Sequence, residues 1–378
     1  MVEFPDKNIY LYSGSVDFRK GIKSLSNLVS INYPDYKLTN SLFIFFSKDK
    51  RQVKILEIED DDIWLYHNRL NDAKFVFPSC DKTIKIDSRQ LKLILKTVEL
   101  ISHKKMKYNV IHADETPLKV IGTDKDKCYM FVYASSFWDS PIYIYDFNDS
   151  RNTDKFKELL KDYKGYIVCD GYAGYDGLKK NGIKLQRCFV HARRYFIDVL
   201  KVLDEPFKSK SPAYKVVDLM AILFKYESEF IDKNYTADMI KKARNAGEYS
   251  KAIKDLDDYI YSINTNNNSL LEKAINYYKN HKQDLYTYLD NGYLDMSNNL
   301  AERVAKPFVI ARKNFLFYKT ADGATTTGKL FSIVQTAKAN GLKSEEYLTY
   351  VINKINKVDI DDLLPFSNKL PKQLLINK

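Results

Sequence analysis

The stretch Val110-Ile111-His112-Ala113-Asp114-Glu115-Thr116-Pro117-Leu118-Lys119-Val120 decides how this chain is read. Pro117 rules out a helix running through it, and the branched apolar residues favour a strand. A carboxylate set into such a strand is costly to bury unless something binds it. The pattern recurs at Tyr166-Ile167-Val168-Cys169-Asp170-Gly171-Tyr172-Ala173-Gly174-Tyr175, an apolar strand ending on an aspartate before a glycine that lets the backbone turn away. A third acid, Glu302, stands in Ser297-Asn298-Asn299-Leu300-Ala301-Glu302-Arg303. Asp114, Asp170 and Glu302 read together as one metal site. Hard divalent cations take oxygen ligands, and Mg²⁺ is usually held by a few carboxylates plus waters and substrate phosphate. Two such ions roughly 3.5–4 Å apart activate a water or hydroxyl and stabilise a leaving oxygen. Spacing in sequence carries no information here; placement does, with two aspartates at strand ends and a glutamate on a helix among Asn and Arg. Glu115 competes with Asp114, but alternation sends them to opposite faces of a strand, so only one points into the site. Singly, each acid also has an ordinary explanation: Asp170 as a turn-capping residue, Glu302 as a surface glutamate beside Arg303 and Lys306.

The rest of the composition sets bounds. With 378 residues the chain can hold two or three domains and a sizeable core. A net charge of +11 and a pI near 9.1 favour a polyanion partner, nucleic acid before membrane. The 29 tyrosines beside 60 Lys and Arg suit phosphate contact and base stacking, and equally reflect a compositional bias toward Lys, Asn, Ile and Tyr. No apolar run approaches the roughly 20 residues that span a membrane. The start, Met1 to Asp6, lacks the pattern of a signal peptide. Cys80, Cys128, Cys169 and Cys188 are scattered, with no C-x-x-C pair. The expectation is a cytoplasmic protein with reduced thiols and no membrane partner.

Residues 1–100 read as a small strand-rich α+β unit. Helical spacing starts at Ile22, strands are expected at Leu42–Phe46, Val53–Ile58 and Ile63–Tyr66, and Phe43, Phe45 and Trp64 are its aromatic core. The basic turn Lys48-Asp49-Lys50-Arg51 could grip a phosphate backbone, although an ordinary charged turn accounts for it as well. This unit is expected to fold alone and to bind DNA with little sequence preference, with protein docking as the alternative. Leu91–Met106 reads as a basic helix, and Lys104-Lys105-Met106-Lys107 as an exposed junction. From Asn109 come the Asp114 strand, Cys128–Tyr133 and Ile142–Tyr145 as an antiparallel trio. A helix over Thr153–Lys161, the Asp170 strand, a short helix stopping near Asn181-Gly182 and the strand Lys184–Val190 follow. The order β-β-β-α-β-α-β is that of a ribonuclease H-like fold, which gathers acids from separate strands and a late helix. A helix opens at His191, and residues 206–295 are a lysine-rich helical insertion whose charges mostly face water. Residues 296–350 complete the core with its final helix and basic strip, and 351–378 form a C-terminal tail whose last dozen residues are expected to be loose.

Cys188-x-x-His191 is half of a zinc pattern with no second half at finger spacing. His191, Arg193 and Arg194 instead suit a strand-to-helix turn that meets phosphate. After Glu302, the cations Arg303, Lys306, Arg312 and Lys313 are interleaved with Phe308, Phe315, Phe317 and Tyr318, as in a DNA-contacting edge. The alternative is that these aromatics are core and the cations face water.

At these residues the chain resembles the DDE transposases of bacterial insertion sequences, specifically the family numbered sixty-six. The matching stretches are His112–Pro117, Cys169–Tyr175, Cys188–Arg194, Ser297–Arg303, Ala311–Phe317 and Thr336–Gly341, in family order. The resemblance implies catalytic, metal-binding acids Asp114, Asp170 and Glu302 on a ribonuclease H-like fold, with Mg²⁺ or Mn²⁺ as cofactor. It implies cleavage at an element's DNA ends, strand transfer into target DNA, and a homo-oligomer assembled on DNA. Gly14-x-x-Asp17-Phe18-Arg19-Lys20-Gly21 and Ile63-Trp64-Leu65-Tyr66-x-x-Arg69-Leu70 resemble the small accessory protein such elements encode in a separate frame. The catalytic proteins of the family usually begin with a coiled coil and a Cys/His zinc-binding region, patterns not seen in this sequence, and often carry aspartate where Ser297 stands. A DNA-binding remnant without catalysis and a ribonuclease H-like nuclease are the rival readings.

Overall fold

The computed structural model describes residues 8–32, 39–49, 52–59, 62–69, 101, 108–125, 127–151, 160, 163–265, 269–355 and 357–376. The helices expected over Leu91–Met106 and Thr153–Lys161 lie outside these residues, apart from the buried Ile101 and Leu160, as do Cys80, Lys50-Arg51 and the Lys104–Lys107 junction.

In the front part, β1 (Asn8–Ser15), β2 (Ser41–Phe46), β3 (Gln52–Ile58) and β4 (Ile63–Arg69) form one sheet in that order. β1 runs parallel to β2, a pairing that needs a crossover, and α1 (Ile22–Asn32) supplies it. The core is Tyr10, Leu25, Val29, Phe43, Phe45, Leu56 and Ile58. Trp64 does not join it. It pairs with Glu57, whereas its neighbour Leu65 pairs with the buried Leu56, so alternation turns the indole to the other face and leaves it 52% exposed. Its ring instead lies 6.0 Å from Lys319 Nζ. Lys54 shares the core face and donates from Nζ to the carbonyls of Phe18 (2.9 Å) and Lys20 (2.7 Å), which fastens the loop before α1.

The second sheet contains β5 (Val110–Leu118), β6 (Cys128–Ser135), β7 (Tyr143–Asn148), β8 (Tyr166–Cys169) and β9 (Lys184–Arg187). Their order is β7-β6-β5-β8-β9, with β5, β6 and β7 antiparallel and β8 and β9 continuing parallel to β5. Ile111 and Ala113 point into one core, and Val110 and Leu118 into the cores on the opposite face. The strand expected to reach Val190 stops at Arg187. Cys188 is already the N-cap of α2 (Phe189–Lys201), so the helix begins two residues before His191.

Helices α3 (Glu205–Lys208), α4 (Pro212–Asp232), α5 (Ala237–Arg244), α6 (Gly247–Ser262) and α7 (Leu270–Leu285) follow. α4 to α7 share one core with Phe189 and Phe196 of α2 and with Val110 and Val168 of the sheet, whereas α3 buries no residue. Gln186 ties β9 to the end of α7, donating to Leu285 O (2.9 Å) and accepting from Tyr288 N (2.6 Å). α8 (Asn299–Phe315), α9 (Ala321–Ala339) and α10 (Ser344–Lys354) complete the set. No helix among the described residues is long and apolar enough to cross a membrane.

α9 lies along β7, at the end of the strand order. Gly328, Ser332, Thr336 and Asn340 recur every fourth residue and so form one stripe on it. Ser332 Oγ accepts from Tyr145 N (2.8 Å), and Thr336 Oγ1 both accepts from Tyr143 N (3.0 Å) and donates to Tyr143 O (3.1 Å). Asn340 Nδ2 donates to Pro141 O (2.7 Å). The helix thus satisfies backbone groups that an edge strand leaves open. The segment after α10 is packed, including part of the last dozen residues expected to be loose. Leu363, Leu364 and Leu374 are buried in the sheet's core, and Lys343 N donates to Leu374 O (2.8 Å).

The stripe makes a testable case at Gly328, where an added Cβ would stand 2.7 Å from Tyr145 O. Gly→Ala inside an open helix stabilises by about 1 kcal/mol. Here the sign should reverse, with Gly328→Ala destabilising by about 1–3 kcal/mol as in other overpacked sites. Thermal denaturation of the full chain measures this, and a raised melting temperature would contradict the packing described.

Candidate active site

His112 pairs with Val168 across the parallel strands β5 and β8. Asp114 and Asp170 each lie two residues beyond that pair, so they stand level and on one face of strands about 4.8 Å apart. The chain leaves β8 at Asp170, whose Oδ1 accepts from Tyr172 N (2.9 Å). The ordinary turn-capping role and a place among the acids are therefore combined in one residue. Gly171 has no room for a side chain, because a Cβ there would meet Tyr277 Oη at 2.3 Å.

Glu302 is brought to the same face by α8. The helix packs through Val304, Ala305 and Phe308 on Leu118, Met130, Val132 and Tyr145. Tyr145 Oη donates to the Val304 carbonyl. Its start is fixed by Asn298, which is fully buried: Nδ2 donates to Ala113 O (2.7 Å) and the backbone N donates to Cys188 Sγ (3.1 Å). Ala113 is one residue beyond the last β5–β8 pair, so the amide takes up a strand carbonyl where the neighbouring ladder has ended.

Burial raises the Asp114 carboxyl to about 7, and the charges of Glu115, Asp170 and Glu302 push in the same direction. Glu302 Oε1 is buried with no hydrogen-bond partner. The oxygens of Asp114, Asp170 and Glu302 do not all lie within 4.8 Å of one another, but a cation among them would relieve the repulsion at Asp114 and engage the orphaned Glu302 oxygen. Cys188 Sγ, a nitrogen of His191 and an oxygen of Glu302 lie within 4.8 Å of one another. Burial pushes the Cys188 thiol up to about 11, so without a bound cation it is protonated near neutral pH.

Glu115 occupies the opposite face. Arg151 Nε donates to its Oε1 (2.9 Å), Arg151 Nη2 to the same oxygen, and Tyr175 Oη to Oε2 (2.7 Å). The Arg151 guanidinium lies 3.7 Å from the centroid of the Tyr172 ring, and Tyr172 Oη donates back to Arg151 O (3.0 Å). This lock holds the Asp170 turn against β5. Asn298, Arg151, Tyr172 and Tyr175 were not singled out from sequence. Tyr172 and Tyr175 lie in a quoted motif, but only their contacts reveal the task.

The expected DNA-contacting residues do not form one strip. His191 faces Glu302, with Nδ1 3.9 Å from Oε1. Arg193 is half-buried, and Arg194, Arg303, Lys306 and Lys313 are exposed. Arg312 donates to the Pro117 carbonyl and, with Lys119, Lys127, Lys313 and Leu316, lines a groove of about 370 Å³. Phe308 is fully buried, as in the core alternative, whereas Phe317 is half exposed.

Comparison with known proteins bears on the whole arrangement. A family model described as "Transposase IS66 family" matches residues 84–326, one described as "IS66 Orf2 like protein" residues 7–105, and one described as "IS66 C-terminal element" residues 332–366. The uncharacterized protein y4jD of Sinorhizobium fredii is 29% identical over 226 residues, covering 57% of this chain and 42% of the relative. The uncharacterized protein y4qI of the same organism is 27% identical over 288 residues, covering 68% and 51%. The chain spans about half the length of these curated relatives. A crystal structure of the Mos1 strand transfer complex is similar over 31% of this chain and 45% of that one, at 14% identity and a TM-score of 0.15, too slight a likeness to bear on the fold. The accessory-type front, the acid-bearing sheet and the C-terminal element occur in matching order, and the chain belongs to the IS66 family of transposases.

Proposed function

We propose that this chain cuts the DNA ends of a bacterial insertion sequence and joins the freed 3′-hydroxyl to target DNA, with Asp114, Asp170 and Glu302 holding Mg²⁺ or Mn²⁺. The observation that carries the reading is the Asp114 carboxyl, which burial first, and then the charges of Glu115, Asp170 and Glu302, raise to about 7. The strand order, an antiparallel trio continued by two parallel strands, supports a ribonuclease H-like core. On this reading residues 109–205 and 296–350 form the core, 206–295 an insertion, 1–100 an accessory-type unit and 351–378 a C-terminal extension.

Each group has a task. A bound divalent cation supplies charge neutralisation at phosphate and activation of the attacking oxygen. Asp114 and Asp170 offer oxygens from neighbouring strands, and Glu302 offers a third from α8. Tyr172 N–H holds Asp170 Oδ1 and leaves Oδ2 for ligation. Glu115 is engaged by Arg151 and Tyr175 on the other face, which keeps it from competing. Arg194, Arg303, Lys306 and the groove cations Lys119, Lys127 and Lys313 meet the phosphate backbone, and DNA is the surface on which copies of the chain assemble.

Incubation with labelled element-end DNA and Mg²⁺ tests the reading. Joined products are expected; hydrolysis without joining would indicate a nuclease, and binding alone a DNA-binding remnant. Asp114→Asn, Asp170→Asn and Glu302→Gln should each lower cleavage by more than roughly 100-fold, because even outer partners of metal ligands cost 10–100-fold. DNA affinity should change little, since it comes mostly from phosphate contacts. Full activity in Glu302→Gln beside an inactive Glu115→Gln would reverse the assignment.

The groove generates a separate expectation. Lys127→Ala combined with Lys313→Ala should weaken binding to all DNA sequences alike and reduce the slope of log affinity against log salt by about 0.9 per lost contact. An unchanged slope in a salt titration would mean these side chains only face water.

A further inference from the structure

We propose that His191 is a positioning residue that orients the Glu302 carboxylate toward its cation, and that Cys188-x-x-His191 is a cradle for the helix carrying that acid. The inference rests on the reading of Glu302 as a metal ligand. Cys188 caps α2, and its Sγ accepts the backbone N–H of Asn298 at 3.1 Å. His191 follows one turn later on α2, and Glu302 follows Asn298 by one turn on α8, so both contacts fall on matched faces. Glu302 N in turn donates to Asn298 O (3.3 Å).

The tautomer follows from the other side of the ring. His191 Nε2 faces Arg194 Nη1 at 3.5 Å. A guanidinium can only donate, so Nε2 accepts and the neutral imidazole carries its proton on Nδ1. Nδ1 stands 3.9 Å from Glu302 Oε1, and neither atom has a hydrogen-bond partner. Such contacts are commonly long before ligands bind and tighten afterwards. A proton held toward Oε1 leaves Oε2 for the cation, as outer hydrogen bonds do for other ligating carboxylates. The Cys188 sulfur holds the start of α8 through the Asn298 N–H.

Mn²⁺ titration of the full chain by isothermal calorimetry, without DNA, tests this. His191→Ala should weaken Mn²⁺ binding by roughly 10–100-fold. His191→Asn, whose amide N–H₂ stands near the place of Nδ1–H, should restore binding close to the unsubstituted protein. Equal loss in both variants would mean that the ring nitrogen itself binds metal, and no loss in either would mean a packing role; both results overturn the proposal. Glu302→Gln separates the two layers. If it leaves Mn²⁺ binding unchanged, the metal reading of Glu302 fails; if it weakens binding while His191→Ala does not, only the positioning role fails. Should His191→Ala not fold, His191→Leu, which keeps bulk without a donor, takes its place.

Discussion

Asn298, through its buried side chain and its own backbone, joins three parts of the chain that are far apart in sequence. Its amide holds the carbonyl next to Asp114, its backbone N–H holds the cap of α2, and its carbonyl receives the N–H of Glu302. The β5–β8 register sets two acids level, but nothing in that sheet places the third. The asparagine converts a helix that could slide along a hydrophobic face into one with a defined start, because burying its amide unsatisfied would cost about 1–3 kcal/mol. The apolar stripe of α8 supplies attraction, and Asn298 supplies register.

Around that register the protein divides its charges by sheet face. Glu115 is matched by Arg151 and Tyr175, so its burial is compensated. Asp114 has no such cation and is crowded by its neighbours. Two adjacent acids on one strand thus differ in kind: one is part of the scaffold, the other is left electrostatically unsatisfied. Unsatisfied acids of this sort gather where chemistry is done. Arg244, buried deep among the inserted helices against Glu227, shows that the chain pairs its internal charges elsewhere.

Much of this was legible in the residues themselves. Branched runs marked β5 and β8, an apolar aromatic run marked β6, alternation separated Asp114 from Glu115, and the Asn181-Gly182 stop matches the left-handed Gly182. β1 was missed because Asn, Ser and Gly dilute its pattern. Trp64 was assigned to the wrong face because register comes from a partner strand, not from hydrophobicity. The final leucines looked like tail because their spacing is irregular, and only the cavity they fill gives them a place. Asn298 and Arg151 were invisible for a deeper reason: a polar side chain announces neither the carbonyl nor the carboxylate that it will meet.

The hydroxyl stripe of α9 also has a history in time. β7 is complete at Asn148, whereas the helix covering it ends at Ala339. At the usual elongation rate of about 5–20 residues per second, a nascent chain would carry β7 uncovered for ~10–40 s. During that interval the strand is a template for pairing with another chain. Dense translation on one messenger would bring such templates together, so slow or chaperone-guarded synthesis would raise the yield of folded protein without changing its final stability.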